Sequence, residues 1–203
     1  MARVTILDLG LGNLHSVAQA FERAGAHPTI TSEAAEAAAA ERLVVPGQGA
    51  FAEGAERLAE GAGDAIRAFL ETGRPYLGIC LGMQLLFERS DEAPGAAGLG
   101  AIAGEVRRFP ADREDEAGRR LKVPHMGWSV VRGAHPLLED GAWYYFVHSY
   151  YCVPDDPALT VGTADYGGPF CAALARGPLF ACQFHPEKSQ RRGARLLTRF
   201  LEI

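Results

Sequence analysis

The stretch "PYLGICLGMQLLFE", Pro75 to Glu88, decides how this chain folds. "YLGI" reads as a short buried strand and "LGMQLLFE" as the helix that follows it. Between them, Gly78-Ile79-Cys80-Leu81-Gly82 has the form of a strand-to-helix elbow that raises one side chain on a turn. Flanking glycines let the chain turn tightly where a Cβ would clash. Cys80 then lies at a helix N-terminus, where the dipole and free N–H groups favour a thiolate.

Working outward, the same strand-helix alternation recurs. "RVTIL" reads as a strand, after which Leu14, Val17, Ala18 and Phe21 follow helical spacing and Gly25 stands where a C-cap belongs. "PTIT" and "RLVV", the latter ending at Pro46, read as further strands. Ile66, Phe69 and Leu70 mark another helix, and "EAAEAAAAE" a short surface helix. Such alternation implies right-handed crossovers and a parallel sheet covered on both faces. After "SDEAPGAAGLG" the pieces turn strand-like: "GEVRRF", "WSVV", "WYYFVHSYYCV", "LTVGTA" and "FCAALA". They read as partly antiparallel strands continuing one sheet, closed by a helix carrying Ala194, Leu197 and Leu201. "REDEAGRR", Arg113 to Arg120, reads as a solvated hairpin tip. Without a repeat or linker, residues 1–203 read as a single α/β domain.

The totals exclude several classes of function. A chain of 203 residues, 48% hydrophobic and 22% charged, is an ordinary globular protein able to bury a core. A net charge of −5 without a basic patch gives nucleic acid or an anionic membrane no electrostatic footing. No apolar run approaches the roughly 20 residues of a membrane span. "MARVTILDLG" fits a buried strand and not a signal peptide, so the simplest compartment is the cytoplasm. In that setting the four cysteines read as reduced thiols. Cys152, Cys171 and Cys182 sit in strand-like runs as packing residues, with Phe180, Cys182 and Phe184 sharing one face. No Cys/His cluster calls for a metal. "GLGNLH", Gly10 to His15, lies where a dinucleotide fingerprint would, but His15 replaces its third glycine, so no cofactor is expected.

In an open parallel sheet, functional groups gather beyond the carboxyl ends of the strands. "DLGLGN", "PGQGAF", "GICLG" and "CQFHPEK" all read as such ends. In "FHPEK", residues two apart on an extended segment put His185 and Glu187 on one side. A carboxylate there holds the imidazole in one tautomer and leaves its other nitrogen for a thiol. Cys80, His185 and Glu187 thus form a coherent triad. The backbone N–H of Leu81 and one from the "PGQG" turn, at Gln48 or Gly49, are the candidate oxyanion donors.

"GICLGMQLLFE" with "FHPEK" resembles the triad class of glutamine amidotransferases. "DLGLGNLHSV", "KVPHMGWSVV" and "YYFVHSYY" narrow the resemblance to the glutaminase subunits of imidazole glycerol phosphate synthases, over nearly the whole chain. The resemblance implies a flavodoxin-like, mostly parallel sheet with additional antiparallel strands in the second half. It also implies hydrolysis of L-glutamine to glutamate and ammonia through a Cys80 thioester. Gln84, His148, Ser149 and Tyr150 match the substrate-binding positions. The implied partner is a (β/α)8-barrel cyclase, forming a heterodimer and receiving the ammonia for L-histidine biosynthesis. Asn13, Pro124, His125, Met126, Gly127, Trp128 and Lys188 match its interface segments. Two positions depart from the family pattern: Gln48 replaces a small aliphatic residue in the oxyanion turn, and Ser129 follows "GW" in place of asparagine. The competing readings are another triad glutaminase, a cysteine peptidase or γ-glutamyl hydrolase on a similar sheet, and a catalytically silent binding subunit.

Overall fold

A computed structural model describes residues 2–115 and 117–203. The first half alternates as the hydrophobic pattern requires. Its elements are β1 (Ala2–Leu7), α1 (Leu14–Arg23), β2 (Ala26–Thr31), α2 (Ala34–Ala39), β3 (Leu43–Gly47), α3 (Phe51–Arg57), α4 (Gly63–Glu71), β4 (Tyr76–Cys80) and α5 (Leu81–Gln84). Asn13 caps α1 by accepting from Ser16 N–H at 3.1 Å, and Gly25, at φ 93°, ends it. The second half contains β5 (Arg89–Ser90), β6 (Gly104–Arg108), β7 (His125–Val131), β8 (Ala142–His148) and β9 (Tyr150–Pro154). β10 (Thr160–Asp165), β11 (Pro169–Arg176), β12 (Leu179–Cys182) and α6 (Gln190–Leu201) complete it.

Strands β2, β1, β3, β4 and β12 lie side by side in parallel. The sheet continues antiparallel through β11, β9 and β6, with β5 parallel to β6 and β10 paired to β11. Both faces are packed. Leu77 and Ile79 of β4 join Phe21 of α1 and Phe200 of α6 in one core. Tyr76 joins Phe51 of α3 and Phe69 of α4 in the other. Each such side chain removed from water contributes roughly 1.5–3 kcal/mol, which is why β4 is apolar without alternation. Among the described residues, no helix is long and apolar enough to cross a membrane.

Four local expectations change. β7 and β8 leave the main sheet and pair with each other, so the second half does not continue one sheet throughout. "WYYFVHSYYCV" is two strands broken at Ser149, where the chain passes from the small sheet to the large one. α5 stops at Gln84, because the carbonyls of Leu85, Leu86 and Phe87 accept from Leu99, Ile102 and Gly100, not from a next helical turn. In α6 the buried stripe is Gly193, Leu196, Leu197 and Phe200; Ala194 is exposed, because Gly193 is the residue pressed against the Pro186 carbonyl. At the charged tip, Glu114 and Arg120 form an antiparallel bridge, with Glu116 outside the described residues.

Candidate functional site

Cys80 ends β4 with φ 53° and ψ −107°, a conformation rare for a residue with a side chain. Strain of this kind costs on the order of 1–3 kcal/mol and persists only where the surroundings over-determine it. They do so here through the two glycines. A Cβ on Gly82 would stand 1.8 Å from the Val45 carbonyl oxygen, and one on Gly78 2.9 Å from the Gly82 oxygen. The elbow therefore lies flat against β3, and the Cys80 side chain is 7% exposed.

The parallel register of β4 and β12 pairs Ile79 with Cys182, so the segment leaving β12 emerges beside Cys80. That segment carries Gln183 and His185. It turns into a short 3-10 helix over Pro186–Lys188 instead of staying extended, and this turn delivers Glu187 to His185. His185 Nδ1 donates to Glu187 Oε1 at 2.8 Å with both side chains almost fully buried. Ser189 clamps the turn: its hydroxyl donates to the His185 carbonyl at 2.6 Å and accepts from Tyr145 N–H at 3.0 Å. His185 Nε2 is buried without a hydrogen-bond partner. Burial alone would lower the His185 pKa; Cys80 beside it and Glu187 behind it raise it to about 10. The ring is thus built to hold a proton next to the sulfur.

A cavity of about 300 Å³ opens in front of Cys80. Its lining includes Gln48, Gly49, Leu81, Gln84, His148, Ser149 and Tyr150, together with Glu92 and Val147. Among the described residues, neither Gln48 nor Gly49 N–H donates to a backbone carbonyl, and Gly49 turns at φ 131°. Leu81 N–H opens α5, where first-turn donors lack intrahelical partners. The Gly10–His15 loop packs behind this turn: a Cβ on Gly12 would lie 3.0 Å from Gln48 N. Sequence reading missed Glu92, which holds Phe51 N–H at 2.8 Å and borders the cavity. It also missed Gln183, although Gln183 and His185 stand two apart in the same strand end, a signal that was available.

A buried polar chain runs away from the cavity. His148 Nδ1 lies 2.7 Å from the Tyr150 carbonyl, which can only accept, so Nδ1 carries the hydrogen. His148 Nε2 must then accept from His125 Nδ1 at 3.1 Å, and His125 Nε2 from the Ser129 hydroxyl at 3.0 Å. Burial keeps both rings neutral. It lowers His125 to about 4. His148 falls to about 3 through burial, against the pull of the Tyr150 carbonyl and with help from His125 and His185. His125 therefore faces inward, 2% exposed and stacked on Phe146 and Tyr166. Pro124, Met126 and Trp128 are exposed and Gly127 is half-buried beside them. Asn13 and Lys188 are also exposed, at the start of α1 and in the turn after His185.

Residues 5–203 match the sequence profile of the family described as glutamine amidotransferase class-I. The chain is 47% identical to the imidazole glycerol phosphate synthase subunit HisH of Methylococcus capsulatus, covering 99% of this chain and 96% of that one. It is 48% identical to the HisH subunit of Rhodopirellula baltica, covering 97% and 96%. A crystal structure of a glutamine amidotransferase superposes with a TM-score of 0.75 at 20% identity, over 98% and 97% of the two chains. The structure of PurLQS from Thermotoga maritima also gives 0.75, at 18% identity over 100% and 99%. These two likenesses concern the fold.

Proposed function

The chain belongs to the class-I glutamine amidotransferases, on the branch of the HisH subunits, and we propose that it is the glutaminase half of an imidazole glycerol phosphate synthase. The observation that carries this reading is the meeting of Cys80 with the His185–Glu187 pair at the edge of a small cavity. In this reading residues 1–203 act as one amidotransferase domain.

L-Glutamine enters the cavity with its carboxamide carbon over the Cys80 sulfur. Glu92 and the Gln84 carbonyl complement its α-ammonium group, and the Ser149–Tyr150 backbone faces its carboxylate end. Cys80 gives its thiol proton to His185, and the sulfur attacks the carboxamide carbon. The charge that develops on oxygen is met by Leu81 N–H and by an N–H of the Gln48–Gly49 turn. His185 gives its proton to the departing amine, and the γ-glutamyl thioester and ammonia result. His185 then takes a proton from water, which cleaves the thioester to glutamate and restores the thiol. Glu187 keeps the ring in the tautomer that both steps need.

Ammonia is consumed by a (β/α)8-barrel cyclase docked on this chain. Met126 and Trp128, 63% and 41% exposed on β7, supply the apolar part of that surface, and Asn13 and Lys188 its polar part. Pro124 and Gly127 shape the strand, and His125 contributes from behind it. The test is to mix the chain with the cyclase and its ribonucleotide ligand. Glutamine hydrolysis rises sharply if the pairing is right; no rise would sink the partner assignment and leave the glutaminase reading standing.

A further inference from the structure

We propose that Gln183 is a further catalytic residue of this site: its side-chain N–H donates to the Cys80 sulfur and stabilises the negative charge carried there before attack. The inference rests on Cys80 being the nucleophile. Gln183 is fully buried immediately after β12, with Nε2 3.5 Å from Cys80 Sγ. Which end of the carboxamide faces the sulfur is settled by the network. The Tyr150 carbonyl can only accept, so the Gln84 amide nitrogen, 3.2 Å away, points at it. The same nitrogen lies 3.1 Å from Gln183 Oε1, so Gln183 presents oxygen to Gln84 and nitrogen to the sulfur. Reversing it would set two donors against each other at Gln84 and leave the sulfur facing an acceptor. A carboxamide does not yield its proton. It therefore holds the sulfur's charge without transferring a proton to it.

The ionisable groups around Cys80 come from every element packed on it. They are His185 and Glu187 from the turn after β12, His148 from β8, and Glu92 bordering the cavity. The Cys182 and Cys152 thiols on β12 and β9 are pushed well up by burial and stay neutral. Replacing Gln183 by leucine changes none of these charges, so a shift in the behaviour of the sulfur reports the lost donor.

The experiment follows the rate of alkylation of the full chain by iodoacetamide against pH, with Cys80→Ala as the blank. A hydrogen bond to a charged group predicts that the half-maximal pH rises by about one unit in Gln183→Leu. Gln183→Met keeps the length of the side chain and adds no charge but removes the donor, so it moves the profile up in the same way. Gln183→Met decides the matter if the leucine variant does not fold. A folded variant with the wild-type profile overturns the proposal while leaving the glutaminase reading intact. Conversely, undiminished ammonia release from glutamine in Cys80→Ala removes the nucleophile on which the proposal rests, whatever the alkylation profile.

Discussion

Cys80 combines a strained backbone, a buried sulfur and the neighbouring Gln183 and His185 side chains, and each can be removed singly. Cys80→Ala should abolish glutamine-dependent ammonia release by the complex, a loss of roughly 10⁴- to 10⁶-fold in kcat as for other nucleophile deletions. Glu187→Gln leaves the shape of the turn but replaces the acceptor at His185 Nδ1, so kcat should fall by about 10⁴-fold with little change in KM. Steady-state kinetics of the complex measure both, and a Glu187→Gln enzyme of near wild-type kcat would remove Glu187 from the mechanism. At this scale the residue types were legible from spacing alone. The elbow and "FHPEK" put a thiol, an imidazole and a carboxylate within reach of the chemistry. Glu92 has no local pattern, because an isolated glutamate gains meaning only from what folds against it; Gln183 shares the strand-end spacing of His185, but that spacing does not say that it meets a sulfur.

Among the elements, the elbow and the β7–β8 pair hold the site from opposite sides. The elbow tolerates no side chain at Gly82, where a Cβ would overlap the β3 backbone at Val45. Gly82→Ala should therefore destabilise the chain by about 3 kcal/mol, at the upper end of overpacking costs, read as a lowered urea midpoint at unchanged m-value. On the other side, Ser129 closes the polar chain that fixes His125 and His148. Ser129→Ala leaves the His125 Nε2 acceptor unpaired and should cost about 1–3 kcal/mol. A Ser129→Ala chain as stable as wild type would show that the hydroxyl is not the donor there. Strand identity was legible from β-branched and aromatic runs. The departure of β7 and β8 from the main sheet was not, because the runs are alike in both sheets and pairing is decided by long-range register.

For the whole molecule, stability depends on pH through the buried histidines in opposite directions. His125 and His148 titrate near 4 and 3 in the fold against an ordinary 6.5. Below 6.5 the unfolded chain binds more protons there than the folded one. Their contribution is present above pH 6.5 and is lost as pH falls through the folded values. His185, raised to about 10, acts the other way: its contribution is present below pH 6.5 and is lost as pH rises toward 10. Each histidine contributes a slope of up to about 1.4 kcal/mol per pH unit inside its window. Chemical unfolding across pH 4 to 10 should show a maximum near 6.5, with the acid limb flattened in a His148→Phe chain. Monotonic stability across that range would contradict the protonation states assigned to all three rings.

The sequence by itself determined the alternation of strands and helices, the elbow around Cys80 and the nearness of His185 to Glu187 along the chain, since each is written in spacings of a few residues; the 3-10 turn that joins the last two was decided by the fold. Its likeness to a family added the substrate and the partner. Only the tertiary structure decided that Gln183 reaches a sulfur 103 positions away, that Glu92 borders the same cavity as Gln84, and that His125 turns inward while its neighbours Met126 and Trp128 face out. The physical reason is common to all three. Local periodicity specifies which way a side chain leaves its own strand or helix, whereas the register of β4 on β12 and of β7 on β8 specifies what it meets there.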